Sequence, residues 1–158
     1  MDFEILHLLF FLTPFVLAYF FKVWLHKKSY WEYLLPCFIF FNVFLQGTLA
    51  GLTQIFHGEV VAKYLDWPFS PFVRELGFAN LAFGLMAGIA LLLKNRNFII
   101  FSGLSYSLFL FLAFLGHLSQ IYYEGNMSFG NAGAVLYTDL FTPMVIAALV
   151  YITSGEKS

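Results

Sequence analysis

Five long apolar stretches dominate the chain and decide what it can become. About 20 residues in a helix cross a hydrocarbon core of roughly 30 Å, and stretches of that order run over 5–25, 34–56, 72–93, 98–123 and 132–152. They are apolar on all sides and lack the strict alternation of a barrel strand. Of the 158 residues, 61% are hydrophobic and 11% charged, against about 45–50% and about 25% in soluble domains. That leaves too few polar side chains to cover a water-soluble fold. The expected fold class is all-α, a polytopic membrane bundle of five transmembrane helices forming a single domain over 1–158. Its first partner is the lipid bilayer.

Charge and cysteine content remove other classes. The formal net charge is -1 and no basic cluster is interleaved with aromatics, which excludes nucleic acid as a partner. Cys37 is the single cysteine, so intrachain disulfides and thiolate metal clusters are excluded too. The first stretch opens with Asp2 and Glu4 and has no basic region before it, so it reads as a span rather than a cleaved leader.

Cytoplasmic loops retain Lys and Arg. Lys22, Lys27, Lys28, Lys94, Arg96 and Lys157 fall on one side of such a bundle, and only Lys63 and Arg74 on the other. The expected placement is a bacterial cytoplasmic (inner) membrane, multi-pass, with the N-terminus outside and the C-terminus cytoplasmic. The connection 57–71 is then an outer cap. Glu59 to Asp66 has the pattern of a short amphipathic helix, stopped by Trp67, Pro68, Ser70 and Pro71.

The informative residues are polar ones that a lipid-facing helix would not carry. At 100° per residue, Asn42, Gln46, Thr53 and His57 form one stripe on the second span, and Tyr106, His117, Gln120 and Glu124 another on the fourth. The third span carries Arg74, Glu75 and Asn80; the fifth carries Tyr137, Asp139 and Thr142. Counted from the outer boundary, Glu75 lies ~4 Å deep, His117 ~9 Å and Asp139 ~10 Å, with His57 at the rim. Ionisable groups in a membrane face the bundle interior and find partners, so the four are expected to converge on one outward-facing polar cavity.

Several functions suit such a layer. Glu75, His117, Asp139 and His57 have the chemistry to ligate a divalent metal. The same acids and histidines suit a proton or cation path, although the inner half beyond Asn42 and Ser102 is nearly all apolar and favours a cup over a channel. A carboxylate and histidine pair also suits a membrane-embedded enzyme, and interhelical polar contacts alone suit a structural or accessory subunit, either as a homo-oligomer or with a membrane partner protein. The reading adopted is a site for a cation, small polar head group or lipid, built on Glu75, His117 and Asp139 and supported by Gln46, His57 and Asn80. Asn131 and Tyr137 are further ligand-binding candidates. Asn131, in the run Gly130-Asn131-Ala132-Gly133, is a good N-cap for the fifth helix, whose free amides suit an anionic group. Gly77, Gly84 and Ala87 share a face with Asn80, and Gly84 and Gly88 form a GxxxG pair that favours close helix packing.

The strings Leu45-Gln46-Gly47 after Asn42, His57, Trp67, Ser70-Pro71-Phe72, Glu75 to Ala82 (ELGFANLA), Gly116-His117, and Gly130 to Gly133 with Leu136-Tyr137-Thr138-Asp139 resemble a family of small, uncharacterised, mainly bacterial integral membrane proteins. The resemblance covers the second to fifth spans. It implies a membrane location and leaves activity, cofactor and ligand open.

Overall fold

A computed structural model of the chain describes residues 3–155. Five of its helices are long and apolar enough to cross a membrane: Glu4–Leu25, Tyr30–Phe56, Pro71–Leu93, Arg96–Glu124 and Phe129–Gly155. No strand occurs among the described residues. The protein is an all-α, multi-pass membrane protein.

Local chemistry sets the helix ends. After α1 (Phe3–Leu25), Ser29 opens α2 (Tyr30–Ile39) with a reciprocal cap. Its hydroxyl accepts from the Glu32 backbone N–H at 3.3 Å, and the Glu32 carboxylate accepts from the Ser29 N–H at 3.1 Å. This capping box starts the second span ahead of the expected residue 34, because it satisfies amides that would otherwise need water. The span widens into a π-helical stretch at Phe40–Leu45 and continues as α3 (Gln46–Phe56). The cap helix α4 (Gly58–Leu65) follows. Then α5 (Pro71–Leu93) begins on its proline, where a missing donor costs nothing. Asn95 caps α6 (Arg96–Glu124). The fifth span is broken: a short turn, α7 (Phe129–Ala132), precedes α8 (Ala134–Gly155).

Two features of the sequence decide how the helices meet. The first is small residues. Gly47 and Gly51 of α3 lie against Gly77 and Gly84 of α5, so closely that a methyl group at Gly51 would sit 2.6 Å from the Leu81 nitrogen. Backbones in contact leave no room for lipid between them. Gly77, Gly84, Ala87 and Gly88 are all buried, as their shared face and spacing predicted. The second feature is proline. Pro14 lies inside α1 and has no N–H, so the Phe10 carbonyl four residues earlier has no intrahelical donor. Asn42, fully buried in the π-helical stretch, fills that gap by donating from Nδ2 to the Phe10 oxygen at 3.0 Å.

Away from the cap, the bundle is filled by Phe38, Ile39, Val43, Ala87, Leu110, Ile146 and Leu149, with Phe11 and Phe15 edge-on to Phe38. That end is closed by Arg96, whose Nη2 donates to the Thr153 carbonyl at 2.8 Å and to its hydroxyl at 3.0 Å. A guanidinium on the last carbonyls of α8 also complements the helix dipole.

Candidate functional site beneath the cap

At the other end the helices enclose a cavity of about 380 Å³, within the range of small-molecule sites. Phe10, Leu49, Phe109, Leu110 and Leu112 give it apolar walls; Gln46, Gln54, Asn80, Tyr106, His117 and Asp139 line it with polar groups. No Lys or Arg lines it among the described residues.

Its floor depends on the glycine contact between α3 and α5. With the two backbones touching, Asn80 Nδ2 donates to Gln54 Oε1 at 2.9 Å, and the Tyr106 hydroxyl donates to Asn80 Oδ1 at 3.4 Å. Gln46, only 7% exposed, is left out of this chain. Its Oε1 is buried with no hydrogen-bond partner among the described residues.

The wall is a chain of three side chains from three elements. Asn131 donates from Nδ2 to the Asn126 carbonyl at 2.8 Å, which turns its Oδ1 toward His117 Nδ1 at 2.6 Å. An amide oxygen only accepts, so Nδ1 carries the hydrogen and Nε2 is the basic nitrogen. Nε2 lies 3.6 Å from Asp139 Oδ2, beyond direct hydrogen-bond length. Both side chains are buried, and the pair presents an acid and a base to the cavity. Pro143, inside α8, also deprives the Asp139 backbone carbonyl of its intrahelical donor.

The rim is stitched by the cap. Trp67 Nε1 donates to Gln120 Oε1 at 2.7 Å, and Asn126 Nδ2 donates to the Leu65 carbonyl at 2.8 Å. Glu4, at the start of α1, accepts from the Tyr64 hydroxyl at 2.5 Å and from the Ala134 N–H, the first of α8, at 2.6 Å. A methyl group at Gly133 would meet the Phe129 backbone oxygen and lie 2.6 Å from Glu4 Oε1, so glycine fits this break because the α7 backbone is in the way of a side chain.

Gln46, Asn80, His117 and Asp139 of the expected site line the cavity, and Asn131 reaches it through His117. Glu75, His57 and Tyr137 do not line it, and all three are exposed. The reason is azimuth. Glu75 is five residues before Asn80, about 140° around α5, and Tyr137 is two before Asp139, about 160° the short way around α8. Depth along the membrane normal does not fix which way a side chain points. His57 ends α3 at the bend into α4. The four-residue metal set of Glu75, His117, Asp139 and His57 therefore does not assemble. Among the described residues no group of three or more His, Cys, Asp or Glu is placed to hold a metal ion. The N-cap expectation for Asn131 is corrected as well: Asn131 lies within α7, and the anion at the start of α8 is the chain's own Glu4.

Glu4, His7, Gln54 and Tyr64 belong to the site or its rim although the sequence did not single them out. Glu4 and His7 carry only the weak signal of polar groups at the start of an apolar stretch. Nothing in the pattern brings the start of α1 to the start of α8.

A model of a family of unknown function, DUF6790, matches residues 4–158. The chain belongs to that family. DUF6790 membership takes in the first span with Glu4, which the resemblance in the later spans did not reach. No curated protein and no solved structure matches the chain. In this DUF6790 protein, the cavity combines a hydrocarbon surface with a floor of amides and a wall of acid and imidazole. Such a site can bind an amphiphilic molecule by its head.

Proposed function

We propose that this DUF6790 protein binds a small molecule with a polar head and an apolar body in a cavity open to the outer face of a bacterial cytoplasmic membrane. The observation that carries this is Gln46, which lines the same cavity as the His117 and Asp139 pair and whose Oε1 is buried with no hydrogen-bond partner among the described residues. A buried acceptor left unmade costs roughly 1–3 kcal/mol, and a ligand donor removes that cost. The apolar walls add the burial of the ligand's body.

Native mass spectrometry of protein purified in a mild detergent tests the reading. Wild type should carry a retained small molecule, lost in Gln46→Leu and in His117→Ala. A wild type that carries none, under conditions that keep the fold intact by circular dichroism, would remove the reading.

The outward opening is supported by Lys22, Lys27, Lys28, Lys94 and Arg96 gathering at the end away from the cap. In a Cys37→Ser background, a membrane-impermeant maleimide should label Lys63→Cys in intact cells, and Lys28→Cys only after permeabilisation. The reverse pattern would turn the cavity inward.

A further inference from the structure

We infer, resting on the ligand-binding reading above, that the head group this cavity takes is a protonated amine, carried on an aromatic or aliphatic body, and not an anion. Three observations converge on that class. The first is charge. Asp139 is the carboxyl group that lines the cavity, where an arriving ammonium favours its ionised form, and no Lys or Arg lines the cavity among the described residues. A phosphate, sulfate or carboxylate head would meet an acid with no fixed cation to offset it, in a medium where that repulsion is poorly screened.

The second is hydrogen-bond polarity. Gln46 Oε1 is an acceptor with no donor among the described residues, and Asp139 Oδ2 lies 3.6 Å from His117 Nε2, beyond direct hydrogen-bond length. Asp139 is 5% exposed and Gln46 7%, so both lie away from bulk water. Both groups ask for donors, and an ammonium has up to three and accepts none. A charge-assisted bond to a buried carboxylate is about twice as strong as a neutral one, which sets an amine above an alcohol of the same shape.

The third is the wall. Tyr106 and Phe109 stack with ring centroids 5.8 Å apart, and with Trp67 they line the same volume. Aromatic faces attract a desolvated cation and pack against a hydrocarbon body. The volume of about 380 Å³ accommodates a single-ring amine and excludes a two-chain phospholipid.

The test uses three probes with one body, 4-phenylbutylamine, 4-phenylbutanol and 4-phenylbutanoate, titrated at neutral pH against full-length protein in nanodiscs by isothermal calorimetry. The amine should bind about tenfold or more tighter than the alcohol, and the acid most weakly. Asp139→Asn should bring the amine and alcohol to similar affinity, and Gln46→Leu should weaken both. Should Asp139→Asn not fold, the wild-type ranking and Gln46→Leu decide the question. A tighter alcohol or acid, or an amine preference that survives Asp139→Asn, overturns the head-group assignment while leaving a ligand cavity in place. Equal binding of all three means apolar partition only and overturns the assignment likewise. No binding by any probe overturns both the assignment and the cavity reading beneath it.

Discussion

At the scale of single residues, the site is a question of which buried polar atoms have partners. Asn131 has its partners: it holds His117 Nδ1 at 2.6 Å and the Asn126 carbonyl at 2.8 Å. Asn131→Ala leaves both unmet in a buried place and should cost roughly 1–3 kcal/mol, seen as a lower thermal midpoint in detergent. Gln46 is the opposite case. Its Oε1 meets no donor among the described residues, so Gln46→Leu should leave the midpoint of ligand-free protein unchanged or raised, because an apolar isostere removes an unmet acceptor. A large fall in that midpoint would mean Gln46 has a structural partner. The contrast separates polar groups that hold the fold from one kept in spite of it.

At the scale of elements, the prolines and glycines write the contacts. Pro14 frees the Phe10 carbonyl and Asn42 fills it at 3.0 Å, so Asn42→Leu should destabilise by about 1–2 kcal/mol. In Pro14→Ala/Asn42→Leu the alanine N–H takes the carbonyl, and the double variant should recover part of the loss. A double-mutant cycle in a mild denaturing detergent measures that coupling, and strictly additive effects would show that the two residues act independently. The α3 and α5 contact behaves differently, because nothing can substitute for absent side chains. A methyl group at Gly51 meets backbone at 2.6 Å, whereas one at Gly116 finds nothing within 4 Å. Gly51→Ala should lower the thermal midpoint and weaken the Asn80 and Gln54 floor; Gly116→Ala should be neutral or slightly stabilising.

For the whole molecule, the two ends are closed by different chemistry. The end away from the cap rests on aromatic and aliphatic packing with Arg96 on Thr153. The cap end is held by polar bonds, with Glu4 joining α1, α4 and α8. Glu4→Ala should speed amide hydrogen exchange over 58–67 and 129–137 and leave 96–104 as slow as in wild type. Exchange that rises evenly along the chain would instead mark Glu4 as a general stabilising contact. The same variant should speed ligand release, since the released cap forms the roof of the cavity.

How much of this was legible follows the physics of each signal. Five spans, the cap helix, the small-residue face of α5 and the inward turn of Gln46, Asn80, His117 and Asp139 all rest on local periodicity and on the cost of polar groups in lipid, which a single chain carries residue by residue. Glu75 is exposed and does not line the cavity, because position is counted along one helix while azimuth depends on which neighbour that helix packs against. Asn131 has the short-range surroundings of a cap, and its bond to His117 follows the break at Gly133 between α7 and α8. The sequence alone determined that the chain crosses a membrane as helices and which residues are too polar to face lipid. Only the tertiary structure decided which of them meet, because contacts such as Glu4 with Ala134 join groups far apart in the chain, and no local pattern encodes them.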